Sequence, residues 1–391
     1  MEPIYFDNNA TTKVDPYVFE KMIPYFCQTY GNPSSMHEFG GKVKRDIDYA
    51  RQQVANILNA HPKEIIFTSC GTESDNTAIV AALECYPEKK HVVTTKVEHS
   101  AIINMCNYLS KKGYSITYLP VDRDGMINLD QLRDSITDKT AIVSIMWANN
   151  ETGVVYPIDK IAEIVKERGA VFHTDAVQTI GKIPVDMEKI PVDMLSLSGH
   201  KLHAPKGVGV LYIRRGTRFK PYILGGHQES GRRGGTENVA SIVGLGYACA
   251  LAEEHMKEEN TSVMYLRDKL ENELLAKIPS AMLNGHKTSR LPNTTNISFE
   301  FVEGESILLM MNEHGVCASS GSACTSGSIE PSHVLRAMGV PFTAAHGSIR
   351  FSLSRYNTEA EVDKVIEILP PIIENLRQLS PFWRKENMIG A

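Results

Sequence analysis

Short apolar runs alternate with longer segments of helical periodicity between residues 63 and 213. Runs typical of strands occur at 64–68, 91–95, 115–119, 141–147, 171–175, 194–198 and 208–213, and helices are predicted at 77–85, 101–111 and 159–168. Strands that alternate with helices in this way predict an α/β fold with a mostly parallel sheet covered by helices. The run 141–147 is almost wholly apolar, which is typical of a parallel strand buried on both faces.

The pattern changes beyond a long helical segment that begins at Val239 and runs toward Lys257. Strands are predicted there at 294–301 and 348–354, and helices at 306–314 and 359–378. A chain of 391 residues is long enough for two domains. We therefore expect a large domain over residues 15–256 and a smaller α/β domain formed by residues 1–14 and 257–391.

Composition and charge exclude several classes of protein. The formal net charge of -5, from 41 basic and 46 acidic residues, argues against a nucleic-acid-binding protein. The chain start lacks the pattern of a secretory signal, and the longest apolar stretch, 239–252, is shorter than the ~20 residues that a bilayer requires. Seven cysteines without C-x-x-C spacing form neither a zinc nor a disulfide framework. We expect a cytoplasmic protein with no membrane partner.

Polar residues follow the predicted strands where those strands end. In an open α/β sheet, ligands bind at the carboxyl ends of the strands. The residues that this rule brings together are Gly71, Thr72, His99, Asn150, Asp175, Gln178, Ser198, His200 and Lys201. The sequence therefore predicts a ligand site at one edge of the sheet.

Lys201 and Asp175 have the spacing of a pyridoxal phosphate site. Lys201 follows one strand, and Asp175 ends a neighbouring strand 26 residues earlier. Pyridoxal phosphate binds a lysine amine as a Schiff base, and an aspartate commonly pairs with its ring nitrogen. Taken alone, the spacing also fits a solvent-exposed loop lysine and an aspartate that caps a strand end.

Three further positions suit an anionic ligand. The turn at Gly71 and Thr72 opens a predicted helix, whose first N–H groups can hold a phosphate, with Ser198 and His200 as further donors. Arg350 lies on a predicted strand, where its guanidinium can grip a carboxylate. An ordinary turn capped by Thr72 and a surface ion pair of Arg350 remain alternatives.

Cys324 and His99 are candidates for chemistry beyond binding. Cys324 lies in the segment 318–328, which is rich in serine and glycine and typical of an accessible loop. An accessible thiol whose pKa the site lowers can act as a nucleophile, although an idle surface thiol has the same sequence pattern. His99 can stack on a planar ring and move protons, or it can be structural.

The chain resembles the cysteine desulfurases of the NifS/IscS group, within the class-V aminotransferase superfamily of pyridoxal-phosphate enzymes. The resemblance runs from about residue 4 to residue 356. It is carried by segments that match in order: YFDNNATT at 5–12, GNPSS at 31–35, GTES at 71–74, EH at 98–99, NNETG at 149–153, DAVQ at 175–178, SGHK at 198–201, RRGGT at 232–236, SSGSACTSGS at 319–328 and SIRF at 348–351. The resemblance implies a fold-type I pyridoxal-phosphate enzyme, with the cofactor in the larger domain and Cys324 on a loop of the smaller one.

The resemblance also implies a role for each matching residue. The cofactor would bind Lys201 as a Schiff base, with the ring on His99, Asp175 and Gln178 and the phosphate on Gly71, Thr72, Ser198, His200 and, from the second subunit of a homodimer, Thr236. Asn150 would contact cofactor and substrate, and Asn32 and Arg350 would orient the substrate. Lys201, His99 and Cys324 would be the catalytic residues.

The implied reaction converts L-cysteine to L-alanine and leaves the sulfur as a persulfide on Cys324. The serine- and glycine-rich loop is similar to that of the subgroup that delivers sulfur to iron–sulfur scaffold proteins. Such a scaffold is the expected acceptor, with Cys324 as a transient iron–sulfur ligand at the shared site. An aminotransferase or another lyase on the same scaffold is the alternative, and Cys324 favours the desulfurase because transamination needs no thiol.

Overall fold

The computed structural model describes residues 3–320, 331–381 and 383. The strands are β1 (Ile4–Tyr5), β2 (Ile65–Thr68), β3 (His91–Thr95), β4 (Ser115–Leu119), β5 (Thr140–Ser144), β6 (Val171–Asp175), β7 (Met194–Ser198), β8 (Gly209–Ile213), β9 (Ala281–Leu283), β10 (Thr294–Phe299), β11 (Val316–Cys317) and β12 (Ser348–Ser352). The helices are α1 (Pro16–Met22), α2 (Pro24–Cys27), α3 (Glu38–Ile57), α4 (Gly71–Cys85), α5 (Ser100–Lys111), α6 (Leu129–Ser135), α7 (Ile158–Glu167), α8 (Val239–Glu254), α9 (Met256–Glu258), α10 (Met264–Lys277), α11 (Gly304–Glu313), α12 (His333–Ala337), α13 (Phe342–Ala345) and α14 (Glu359–Leu379).

A seven-stranded sheet in the order β2-β8-β7-β6-β5-β3-β4 forms the centre of the larger half. Its pairs are parallel except those of β8, which is antiparallel to both β2 and β7. The predicted mostly parallel α/β sheet is therefore confirmed. Because β2 and β7 share one direction, the carboxyl ends of β2, β3, β5, β6 and β7 lie at one edge.

Helices cover both faces of this sheet. Helices α4 and α5 bury their apolar side chains on one face, where Ile79 and Ile102 contact alternate strand residues such as Ile142. The opposite face carries the largest core of the molecule, in which residues of α3, α7 and α8 pack against strand residues such as Val143 and Val210. Strands β3, β5, β6, β7 and β8 are buried on both faces, which explains why they read as nearly continuous apolar runs.

A second, smaller core lies beside the first. Strands β9, β10 and β12 form an antiparallel sheet in the order β12-β10-β9, and β1 pairs in parallel with β11. Phe6 packs there with apolar residues of α10, α11 and α14. The N-terminal strand thus joins the C-terminal half, as the predicted grouping of residues 1–14 with 257–391 requires, whereas the domain boundaries themselves stay a prediction.

Element boundaries differ from the sequence-based expectations at polar ends. Helix α4 begins at Gly71 and not at residue 77, because its first turns, GTESDN, are polar and give no apolar periodicity. Strand β5 ends at Ser144 and not at residue 147, although the N–H of Trp147 still donates to the carbonyl of Asp175 at 2.8 Å. Within the described residues, none of the helices has the length and apolar character needed to cross a membrane.

Candidate active site

A cavity of about 340 Å³ opens at the carboxyl edge of the large sheet. Its wall contains the predicted residues Gly71, Thr72, His99, Asn150, Asp175, Gln178, Ser198, His200, Lys201 and Arg350. These residues come from the ends of five strands and from β12 of the smaller sheet. The fold therefore brings together side chains that are up to 279 residues apart, from Gly71 to Arg350.

Lys201 extends into this cavity from the turn Gly199–Lys201 that follows β7. Its Nζ donates to the carbonyl oxygens of Asn9 and Ala10, the latter at 2.7 Å. Both acceptors belong to the N-terminal segment that links β1 to α1. The amine is thus held at the junction of the two cores, half-buried and within the cavity.

Asp175 is the last residue of β6 and presents a buried carboxylate to the cavity. Its Oδ1 accepts from the N–H of Val177 at 2.9 Å. Burial raises the pKa of Asp175, while the nearby His99 and Lys201 act in the opposite direction. A buried carboxylate is costly unless a cation or a strong donor pairs with it, so this position suits a protonated ring nitrogen.

His99 is fixed by its place at the start of α5. It is the N-cap residue, and its Nδ1 accepts from the N–H of Ala101 at 3.2 Å. The acceptor role leaves the proton of the neutral ring on Nε2. Burial, with Lys201 nearby, lowers the pKa of His99 and keeps the ring neutral, as a stacking partner for a planar ligand should be.

The N-terminus of α4 and the end of β7 form the phosphate-sized end of the cavity. Helix α4 has 15 residues, and its N-cap residue, Cys70, makes no side-chain cap. The Oγ of Ser198 is buried and has no hydrogen-bond partner among the described residues. His200 donates to or accepts from Thr11 Oγ1 at 3.1 Å, and burial lowers its pKa to about 4. A helix N-terminus beside an unpartnered buried hydroxyl is a suitable anion site.

Arg350 lines another part of the cavity, and its side chain bonds to both the N-terminal segment and the segment after β5. Its Nη2 forms an ion pair with Asp7 Oδ1 at 2.7 Å, and its Nη1 donates to the carbonyl of Asn150 at 3.0 Å. The side chain is 3% exposed, and its Nε has no partner among the described residues. The guanidinium is therefore held by two of its five N–H groups, and the others are left for an anion such as a substrate carboxylate.

Comparison with known proteins agrees with this geometry. The family model described as Aminotransferase class-V matches residues 4–365. A cysteine desulfurase of Trichormus azollae is 60% identical over 386 residues, which cover 99% of this chain and 96% of that protein. The chain belongs to the class-V aminotransferase family.

Solved structures of similar proteins share the whole fold. A NifS-like protein superposes with a TM-score of 0.90 at 41% identity, and the match covers 96% of this chain and 100% of that one. A structure of SspA in complex with cysteine superposes with a TM-score of 0.80 at 36% identity, covering 91% of this chain and 100% of that one. The resemblance and the fold-type I architecture inferred from the sequence are confirmed.

Pyridoxal 5'-phosphate is the cofactor of this class-V enzyme, and the residues of the cavity fit it. The unpartnered Ser198 hydroxyl and the start of α4 suit the phosphate. The buried carboxylate of Asp175 accepts from the N–H of Val177 and suits the ring nitrogen. Lys201 supplies the amine between these two ends of the cavity.

Two of the predicted site residues, Thr236 and Asn32, do not line this cavity. Thr236 is exposed after the turn that follows β8, and Asn32 is exposed with its Oδ1 accepting from the N–H of Ser34 at 2.9 Å. Cys324 lies outside the described residues. The roles expected for these residues stay predictions.

The sequence did not predict several residues that line the cavity or hold its side chains in place. Asn9 and Asp75 line the cavity, and Asp7 anchors Arg350. Asn9 and Asp7 belong to the segment YFDNNATT, which matches the family and could have pointed to both residues. Asp75 follows Gly71 by four residues on α4, a helical spacing that places it one turn below the start of the helix.

Proposed function

We propose that this class-V enzyme is a cysteine desulfurase that converts L-cysteine to L-alanine and holds the sulfur as a persulfide on Cys324. The observation that carries the proposal is one cavity in which Lys201, Asp175 and Arg350 meet, in a chain 60% identical to a cysteine desulfurase. Lys201 would carry the cofactor, Asp175 and Gln178 would bind its ring, and Gly71, Thr72, Ser198 and His200 its phosphate. When bound, pyridoxal 5'-phosphate supplies a ring that withdraws electrons from a substrate held on it.

Arg350 binds the carboxylate of the substrate in this proposal. Asp7 and the carbonyl of Asn150 already hold two of its nitrogens, so the guanidinium keeps one orientation when the substrate enters. The Asn150 side chain lines the same part of the cavity and orients the substrate beside it. A preorganised arginine loses little freedom on binding, which is why it suits a small amino acid.

His99 and Lys201 move protons near the substrate. His99 presents Nε2–H to the cavity because its Nδ1 accepts from the N–H of Ala101, so the neutral ring can donate its Nε2 proton in a hydrogen bond to a polar group of the substrate. Lys201 Nζ lies against the carbonyls of Asn9 and Ala10 and can return a proton to the substrate carbon. An imidazole and an amine at these positions are suited to acid–base work.

Cys324 takes the sulfur. Its thiolate attacks the substrate sulfur, an S–S bond forms, and the bond between sulfur and Cβ breaks with its electron pair going to carbon. A proton then completes the methyl group of alanine, so the sulfur is oxidised and the carbon reduced without an external reagent. The serine- and glycine-rich segment around Cys324 suits a thiol that must next meet an acceptor.

The proposed acceptor is an iron–sulfur scaffold protein, which would receive the persulfide sulfur and share Cys324 as a transient iron–sulfur ligand. The active form would be a homodimer in which Thr236 contacts the phosphate of the second subunit, with Asn32 near the substrate. We expect such an enzyme in the cytoplasm, because its nucleophilic cysteine must stay a free thiol and not form a disulfide.

The proposal is tested by product analysis. Purified protein loaded with pyridoxal 5'-phosphate is given L-cysteine and a thiol reductant, and alanine and sulfide are both measured. Equal amounts of alanine and sulfide are expected. Keto-acid formation without sulfide would refute the proposal and indicate an aminotransferase.

A further inference from the structure

A fully buried lysine lies behind the cavity and has no part in the chemistry proposed above. Lys182 follows Gln178 by four residues in the turn after β6 and is only 6% exposed. Its Nζ donates to the backbone carbonyl of Gln178 at 3.1 Å and to the Gln178 Oε1 at 3.0 Å. Burying an ammonium group costs free energy, so we asked which neighbouring groups Lys182 holds in place.

The hydrogen bonds of Gln178 fix which way its amide points. The amide nitrogen Nε2 faces the carbonyl of Asn9 at 3.0 Å, and a carbonyl oxygen can only accept. The other end of the amide must therefore be the oxygen, and Lys182 donates to it. Nε2 carries two hydrogens, so one N–H remains on the side of the cavity that Gln178 lines.

The same carbonyl connects this arrangement to Lys201. Asn9 O accepts from Gln178 Nε2 and from Lys201 Nζ. A continuous chain of hydrogen bonds thus runs from Lys182 through Gln178 and the Asn9 carbonyl to the amine that would carry the cofactor. Without Lys182, the Gln178 amide would lose the donor that holds its oxygen away from the cavity.

Glu259 compensates the buried charge. It is buried at the π-helical turn 259–263 that leads from the large core to α10, and it attracts Lys182 electrostatically. Burial lowers the pKa of Lys182 to about 7 and raises that of Glu259 to about 7, and attraction between the two opposes both changes. The neighbouring Asn260 donates from Nδ2 to the Lys182 carbonyl at 2.8 Å, which anchors the π-helical turn to the segment after β6.

We propose that Lys182 is a positioning residue that fixes the Gln178 amide with its N–H toward the cofactor ring and, through the Asn9 carbonyl, restrains Lys201. The proposal rests on the cofactor site described above and adds a residue outside the cavity to it. Loss of the Lys182 donor lets the amide rotate and present its oxygen to the ring. Lys182 therefore acts on the cofactor only through Gln178.

A double-mutant cycle tests this dependence. Apo forms of the wild type, Lys182→Met, Gln178→Leu and the double variant are titrated with pyridoxal 5'-phosphate, and the dissociation constant and the pH titration of the visible band are measured. Each single variant is expected to raise the dissociation constant about tenfold and to shift the titration, as the loss of one charge-assisted hydrogen bond should. The double variant is expected to show no further change.

Two controls separate positioning from folding. Lys160→Met removes an exposed lysine of α7 and should leave both measurements unchanged. Lys182→Met could fail to fold because Glu259 is left unpaired. In that case the cycle is repeated in a Glu259→Gln background, and Glu259→Gln alone takes the place of the wild type. Thermal unfolding of the apo proteins reports the structural effect by itself.

The outcomes distinguish the two proposals. A wild type that fails to bind the cofactor or to form alanine would overturn the proposed function. If the wild type does both, then unchanged cofactor binding in Lys182→Met, or additive effects in the double variant, would overturn the role of Lys182 alone. A change confined to the unfolding temperature would also overturn it.

Discussion

Gly71 lies so close to Val177 that the structure leaves no room for a side chain at position 71. A Cβ on Gly71 would lie 2.8 Å from Val177 Cγ2 and 3.5 Å from Ser198 Cβ. Real Cβ atoms do not approach a neighbour at the shorter of these distances, so Val177 would have to move. Val177 also donates its N–H to Asp175, which means that its displacement would reach the ring end of the site.

Gly71→Ala is therefore expected to weaken binding of pyridoxal 5'-phosphate about tenfold, the size of effect that a small displacement of a hydrogen-bonding group produces. Shortening the neighbour in Gly71→Ala with Val177→Ala should restore most of the affinity. Titration of the apo proteins with the cofactor measures both. If Gly71→Ala bound the cofactor as tightly as the wild type, the predicted clash with Val177 would be wrong.

His173 is a buried neutral histidine beneath the site. Its ring bonds to Ser144 Oγ and Ser196 Oγ, both at 2.9 Å, and burial lowers its pKa from 6.5 to about 3. Because the folded pKa lies below the unfolded one, the unfolded chain takes up a proton below pH 6.5 that the folded chain does not. The stability contributed by the neutral ring is present above pH 6.5 and is lost progressively toward pH 3.

His173→Gln should flatten this part of the pH dependence. When the pH falls from 7 to 5, the free energy of unfolding should decrease by about 2 kcal/mol less in the variant than in the wild type. This value follows because each pH unit below 6.5 contributes about 1.36 kcal/mol. Denaturant unfolding at several pH values measures the difference, with the exposed His314→Gln as the matched control. Parallel pH profiles for the wild type and His173→Gln would refute the assignment.

At the scale of elements, the start of α4 and the end of β7 meet at one end of the cavity, which we propose binds the phosphate. The helix contributes backbone N–H groups and its dipole, and the strand contributes the Ser198 hydroxyl, which has no partner within the described residues. A hydrogen bond to a charged group contributes about 1.5–3 kcal/mol, more than a bond between neutral groups. The phosphate should therefore depend on both elements.

Ser198→Ala tests the contribution of β7. Affinity for pyridoxal 5'-phosphate should fall at least tenfold, whereas affinity for pyridoxal, which lacks the phosphate, should stay the same. Parallel titrations of one apo protein with the two compounds provide the comparison. An equal loss for both compounds would show that the hydroxyl serves the ring or the fold and not the phosphate.

The sequence predicted elements well where burial produces a clear period. Strands β3, β4, β6 and β7 were predicted with the bounds that the structure gives them, because each is an apolar or β-branched run between polar turns. Strands β1, β9 and β11 have two or three residues and were not predicted, since their pairing depends on distant partners. The apolar period predicted α4 only from residue 77, although the turn at Gly71 was predicted to open a helix, because the polar first turns of α4 give no such period.

The same distinction holds for the site. Residues that end strands of the large sheet, such as Asp175 and Ser198, could be placed together from the sheet rule alone. Arg350 and Asn9 could not, because their positions depend on how the second core packs against the first. The roles of Thr236, Asn32 and Cys324 came from the resemblance and are tested only by experiment.

At the scale of the whole molecule, the position of Thr236 predicts an assembly. Thr236 is exposed and outside the cavity of its own chain, although it belongs to a segment that matches the family. The surface around α1 and α2 also carries exposed aromatic residues, among them Tyr17, Phe26 and Tyr30. A homodimer in which Thr236 completes the second subunit's site accounts for its exposure.

Mixed dimers test this assignment. Thr236→Val and Lys201→Ala are each expected to be nearly inactive, but a dimer formed from one subunit of each should contain one intact site. Activity should therefore reappear after the two variants are mixed and allowed to exchange subunits. No recovery, in a sample that sedimentation shows to contain mixed dimers, would place Thr236 in the site of its own chain.

The central claim is that sulfur leaves L-cysteine through Cys324. The most direct measurement is a single turnover of the cofactor-loaded enzyme with L-cysteine and no reductant, with alanine counted and the persulfide located by peptide mass spectrometry. The wild type and the control Cys317→Ser should form one alanine and one persulfide on Cys324 per active site, and Cys324→Ser should form neither. Alanine in normal yield from Cys324→Ser, or a persulfide on another cysteine, would contradict the account.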